Sequence, residues 1–147
     1  MNIRSIAIED FIDWLTMASA LWPEESEADL SKLFNELLSL EHYKAFIVRS
    51  DSGEAAAFIY LSLRSDYVEG SSTSPVGYIE GIYVKPAFRD QGVARKLAEI
   101  GEEWAREIGC SEMASDAYWD NTESREFHKH IGFAETERLV HFIKPIK

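Results

Sequence analysis

Ile3, Ile6 and Ile8 open the chain as a short strand, and Glu9-Asp10 lead into a helix that carries Phe11, Trp14, Leu15, Ala18 and Leu21 on one side until Pro23 ends it. After the acidic stretch Glu24 to Glu27, Leu30, Leu33, Phe34, Leu37 and Leu38 recur at the three- and four-residue spacing of a second amphipathic helix. Tyr43 to Arg49 and Ala55 to Leu63 read as adjacent antiparallel strands, because Ser50-Asp51-Ser52-Gly53 between them has the residue types of a hairpin turn. Ser65 to Pro75 is polar and rich in small residues, a loop able to project Tyr67. A third strand follows at Val76 to Val84, and Pro86 stops it. The spacing of Val93, Leu97, Ile100, Trp104 and Ile108 predicts a helix from about Gly92 to Ile108, closed by Gly109. A short strand at Glu112 to Asp116, a helix at Thr122 to His130 and a last strand at Phe133 to Ile143 complete the order βααβββαβαβ.

The length of 147 residues and the apolar share of 46% describe a single folded domain spanning residues 1–147 rather than a disordered chain. No apolar run approaches the roughly 20 residues that cross a bilayer, and Met1-Asn2-Ile3-Arg4 does not begin a secretory leader, so no membrane partner and a cytoplasmic location are expected. Cys110 is the only cysteine, a small buried filler with no second thiol for a disulfide or a zinc knuckle, and no metal is expected. A formal net charge of −11 disfavours nucleic acid and favours a cationic partner.

The chemistry concentrates where the third strand turns into the long helix. Helix starts offer amide groups without intrahelical partners and a partial positive charge, which suit an anion. In Arg89-Asp90-Gln91-Gly92-Val93-Ala94, Gly92 and Ala94 admit close approach of a pyrophosphate, and Arg89 adds charge-assisted hydrogen bonding. Among carboxylates, Glu80 lies on the strand entering this turn and Asp116 ends the next strand.

The strand Glu80 to Val84, the connector Lys85 to Phe88, the turn Arg89 to Ala94, Asp120-Asn121 before a helix and Ile131-Gly132-Phe133 after it resemble the GCN5-related N-acetyltransferase family from about Val76 to Phe133. The resemblance implies a layered α/β fold, a mixed and mostly antiparallel sheet flanked by helices, with two central strands splayed to admit a pantetheine arm. It implies acetyl-CoA as cosubstrate, with main-chain groups of Ile82 and Val84 on the pantetheine, Arg89 and the backbone of Gln91, Gly92, Val93 and Ala94 on the pyrophosphate, and Asn121 reaching the arm from the other side. Asp116 is expected to bind the amine and act as base, with Glu80 as a second acid or water-holding group. Where many members carry a tyrosine to protonate the leaving thiolate, this chain has His128, a residue able to donate a proton.

Segments including Leu21-Trp22, Asp66 to Gly70, Thr73 to Gly77, Ala114 to Ala117 and His128 to Phe133 are similar to the branch of that family that acetylates the 6'-amine of aminoglycosides. That similarity implies antibiotic resistance as the consequence and an acceptor site of Trp22, Tyr67, Glu80 and Asp116, with Tyr67 at a homodimer interface. Two alternatives stay open: an acetyltransferase for another polycation, such as a polyamine or protein lysine, and an acetyl-CoA-binding regulator without catalysis.

Overall fold

The computed structural model describes residues 1–147. Its elements are β1 (Asn2–Ser5), α1 (Phe11–Leu21), α2 (Glu27–Leu37), β2 (Tyr43–Arg49), β3 (Ala55–Arg64), β4 (Val76–Val84), α3 (Val93–Ile108), β5 (Met113–Ser115) and α4 (Thr122–His130). Single 3-10 turns at Ile8–Asp10 and Pro86–Phe88 lead toward α1 and α3. The strands form one sheet in the order β1-β2-β3-β4-β5, antiparallel except for the parallel β4–β5 pair. This is the mixed sheet with flanking helices that the resemblance implies.

Burial on both faces explains why β3 is nearly all apolar: Ala55 to Leu61 is fully buried between two helical layers. On one face, Trp14 of α1 stacks on Phe34 of α2 with ring centroids 3.7 Å apart, above Phe58 and Ile47. On the other, Val93 and Leu97 of α3 pack on Val48, Ala57, Ile59 and Ile79. Ser26 caps α2 by accepting from the Asp29 amide at 3.1 Å. Cys110 is buried, and burial raises its thiol above the usual range despite a backbone hydrogen bond from Gly77.

Asp10 is fully buried behind β1, where it accepts from Arg4 at 2.5 and 2.7 Å, from the Ala7 amide at 2.9 Å and from Arg49 at 2.8 and 3.2 Å. Burial alone raises a carboxylate's pKa, yet the bonds from Arg4, Ala7 and Arg49 outweigh it and hold Asp10 below its ordinary range.

The expected last strand does not form. Phe133 to Ile143 carries no regular secondary structure, and Val140, Phe142 and Ile143 stand exposed. The run has strand-forming residues, but a strand also requires a neighbouring edge for its amides and carbonyls, and no strand of the same chain pairs with it.

Candidate active site

Strands β4 and β5 stay together only briefly, over Gly77–Met113, Tyr78–Ala114 and Ile79–Ser115. Beyond Ile79, β4 continues alone on that side, so the backbone of Glu80 to Val84 pairs with β3 on one edge and leaves the other edge open. The sheet is split at this point into a cleft. Ile82 and Val84 turn half-buried side chains into the α3-side core while their main chain lines this section.

The cleft runs into the turn before α3. Asp90 and Gly92 both have positive φ, 62° and 76°, which folds the chain back tightly enough to aim the helix start at the open edge of β4. The first intrahelical bond here is the Lys96 amide to the Gly92 carbonyl at 3.1 Å, leaving the amides of Gln91, Gly92, Val93 and Ala94 without carbonyl partners. A Cβ added to Gly92 would meet nothing within 4 Å, so there is open space over those amides. Arg89 Nε donates to the Val84 carbonyl at 2.8 Å and braces the turn against the end of β4. The amides, the space and the adjoining free strand edge fit a pyrophosphate followed by an amide-bearing arm.

At the other end of the cleft lie the carboxylates. A register shift pairs Tyr60 with Gly81 but Leu61 with Ile79, so Glu80 is the extra residue of a β-bulge. Its side chain accepts from Ser62 Oγ at 2.8 Å, from Arg64 Nε at 2.9 Å and from Arg64 Nη2 at 2.7 and 2.9 Å. The Arg64 guanidinium also lies 3.5 Å over the Tyr78 ring, and Tyr78 donates its hydroxyl to Asp116 Oδ2 at 2.5 Å. Burial and this bond to Asp116 both push the Tyr78 pKa up, so it remains a protonated donor. Glu80 and Asp116 are thereby joined through Arg64 and Tyr78, and Asp116, itself exposed, keeps acceptor capacity beyond the Tyr78 bond.

His128, half-buried on α4, bonds through both ring nitrogens. Nδ1 lies 2.7 Å from the Ser124 carbonyl, which only accepts, so Nδ1 carries the proton; Nε2, 2.7 Å from Ser115 Oγ, then accepts from the serine in the neutral ring. Asn121 caps α4, its Oδ1 accepting from the Ser124 amide at 3.0 Å, which leaves its side-chain NH2 as the group available to a ligand. Trp22, at the end of α1, lies against Gly81 and Phe58 beside β4. Tyr67 projects from the β3–β4 loop, 73% exposed, and this loop is fixed to the start of β5 by the Ser72 and Thr73 amides donating to Glu112 at 2.9 and 2.7 Å.

The structure thus unites the expected phosphate turn with Ile82 and Val84, and joins Glu80 to Asp116. No hydrogen bond joins Tyr67 to either acid. Ser62, Arg64, Tyr78 and Ser115 escaped the sequence reading. Only Tyr78 left a signal, two positions before Glu80 on one strand, and the bulge that re-aims Glu80 has none. A hollow of about 390 Å³ lined by Ser5, Leu38, Tyr43 and Tyr60 lies elsewhere and holds none of these residues.

A split sheet with an anion-binding turn at one end and a carboxylate pair at the other is the arrangement of an acetyl-CoA-dependent transferase. Residues 8–133 match the Acetyltransferase (GNAT) family, and the chain belongs to it. It is 42% identical over 146 residues to the aminoglycoside N(6')-acetyltransferase type 1 of Acinetobacter genomosp. 13, covering 99% of each chain. Among solved structures it is similar to the apo form of the aminoglycoside 6'-N-acetyltransferase AAC(6')-IG from Acinetobacter haemolyticus, with TM-score 0.95, 41% identity and 100% of both chains covered. It is also similar to AAC(6')-Iy in complex with the bisubstrate analogue CoA-S-monomethyl-acetylneamine, with TM-score 0.93, 37% identity, and 99% and 98% of the two chains covered.

Proposed function

We propose that residues 1–147 are a single acetyltransferase domain that moves the acetyl group of acetyl-CoA to the 6'-amine of an aminoglycoside, conferring resistance to the drug. The observation that carries this reading is the cleft between β4 and β5, open along Glu80 to Val84, with the anion turn at one end and Asp116 at its mouth. The similarity to enzymes that carry this activity in their names supports the choice of acceptor.

In this reading the Gln91 to Ala94 amides and Arg89 hold the pyrophosphate, Ile82 and Val84 bond the pantetheine amides through their main chain, and Asn121 bonds the arm with its free NH2. Asp116, oriented by Tyr78, binds the acceptor ammonium beside Trp22 and Tyr67 and takes its proton. The neutral amine attacks the thioester carbonyl, a C–N bond forms, the C–S bond breaks, and the thiolate takes up a proton. Glu80 is neutralised by Arg64, which suits it to holding a water or a second ammonium rather than to being the base. His128 reaches the cleft through the Ser115 hydroxyl; with a second proton on Nε2 the ring donates to Ser115 Oγ, and the serine passes its own proton to the thiolate, leaving the ring neutral. A homodimer in the cytoplasm is part of the same reading.

The test is to mix the purified protein with acetyl-CoA and kanamycin or tobramycin, following thiol release and product mass. Thiol release matched by a mono-acetylated drug is expected. Intact acetyl-CoA binding with no acetylated drug, set against turnover of spermidine or a lysine peptide, would overturn the acceptor.

A further inference from the structure

An ammonium-binding site has no evident need of its own cation, yet Arg64 supplies one. At the end of β3, its guanidinium spreads across both oxygens of Glu80 and lies over the ring of Tyr78, whose hydroxyl holds Asp116. It is the one lysine or arginine side chain that forms an ion pair with either acid. Burial pulls its pKa down, but the bonds to Glu80 and the charges of Glu80 and Asp116 outweigh burial and raise it, so the group stays cationic at every working pH. The titratable groups facing it are Glu80 and Tyr78 from β4, Asp116 beyond β5 and Tyr60 on its own strand. Tyr43 of β2 stacks on Tyr60, and His128 of α4 is joined to Ser115 beside Asp116.

Two carboxylates and one guanidinium leave a single formal negative charge at the mouth of the cleft. Two bare carboxylates would hold an ammonium more tightly, but they would also raise its pKa and keep it protonated. A protonated amine has no lone pair for the thioester. A cation fixed beside the acids weakens that attraction and lets the amine become neutral at a lower pH.

We propose that Arg64 acts through its charge on the bound acceptor amine, offsetting Glu80 so that the amine loses its proton near neutral pH. It is a positioning residue, since it bonds Glu80 and not the reacting atoms. This rests on the acetyltransferase reading above, with Asp116 as the acceptor's anchor.

The test is the pH dependence of kcat with saturating acetyl-CoA and tobramycin, or spermidine if that is the amine acetylated. Its acid limb reports loss of the proton from the bound amine and its base together. Arg64→Gln is expected to move that limb up by about one pH unit, the low end for a neighbouring charge because the side chain is 42% exposed. On the limb, kcat then falls about tenfold while the KM for the acceptor also falls. Arg64→Lys keeps the charge and is expected to recover most of the shift. The Arg64→Gln change is repeated in a Glu80→Gln background, where it strands no carboxylate, so the shift is read even if the single variant fails to fold. The same upward shift is expected there. A shift seen only when Glu80 is present makes Arg64 a mere support for that side chain and overturns the proposal. No shift, or one as large with lysine as with glutamine, overturns it too. In each of these cases turnover by the wild type leaves the acetyltransferase reading standing, whereas a wild type that acetylates neither amine overturns both.

Discussion

Two aspartates show how differently one residue type is used. Asp116 is exposed and makes a single side-chain bond, from Tyr78, so its second oxygen is available to a cation. Asp116→Asn keeps the Tyr78 bond and the shape but removes the charge and, with it, the proposed base. Turnover per active site is expected to fall by about 100-fold or more, as typical for loss of a positioned base, with acetyl-CoA affinity by calorimetry unchanged. Asp10 is buried with every oxygen engaged by Arg4, Ala7 and Arg49. Asp10→Asn leaves two guanidinium groups facing a neutral amide, and a loss of about 3 kcal/mol is expected in urea unfolding at pH 7, in line with breaking one partner of a buried ion pair. Because the folded-state pKa of Asp10 is lowered, its contribution is complete above the ordinary aspartate value of about 3.9 and fades as pH falls through the folded value. The gap between wild type and variant should therefore close as unfolding is measured at progressively lower pH below about 4.

At the scale of elements, the turn from β4 into α3 has the geometry its sequence announces, since a glycine at a left-handed position followed by small residues is a local signal. Gly92→Ala places a methyl group in the open space over the amides and forces a left-handed φ of 76° on a residue with a Cβ. About 1 kcal/mol of stability should be lost, a fall of roughly 3 °C in Tm for a chain of this size. Acetyl-CoA should bind more weakly, by about tenfold for the loss of roughly 1.4 kcal/mol of backbone hydrogen bonding, while KM for the acceptor moves little. The helices and the strands β2 to β4 were legible for the same local reason, their apolar periods being long and bounded by turn residues. Glu80 was legible as a carboxylate in the cleft but not as the bulged partner of Arg64, because a bulge is a property of two strands in register. Phe133 to Ile143 reads as a strand from its residue types, yet pairing is non-local, and no strand of the chain pairs with it. His128 was marked by its place in a motif, while its partner Ser115, thirteen residues earlier, carries no mark at all.

Over the whole molecule, charge decides which acceptors arrive. With a net charge of −11, the chain attracts a polycation before any contact forms, and this attraction is screened beyond about 8 Å at physiological ionic strength. The attraction grows with the number of ammonium groups, so an aminoglycoside feels it far more strongly than a monoamine does. Raising salt from about 0.05 to 0.5 M shortens the Debye length from more than 10 Å to below 8 Å, leaving the short bonds around Asp116 less affected than the long-range field. The expected result is a KM for tobramycin that rises by roughly tenfold over this range, with kcat and the KM for acetyl-CoA changing far less. Acetyl-CoA supplies the internal control, being an anion whose proposed attraction to the Gln91 to Ala94 amides is opposed by the same overall field. If the two KM values rose together, the acid surface would have no part in selecting the acceptor, and its selection would rest on the proposed acceptor residues Trp22, Tyr67, Glu80 and Asp116 alone.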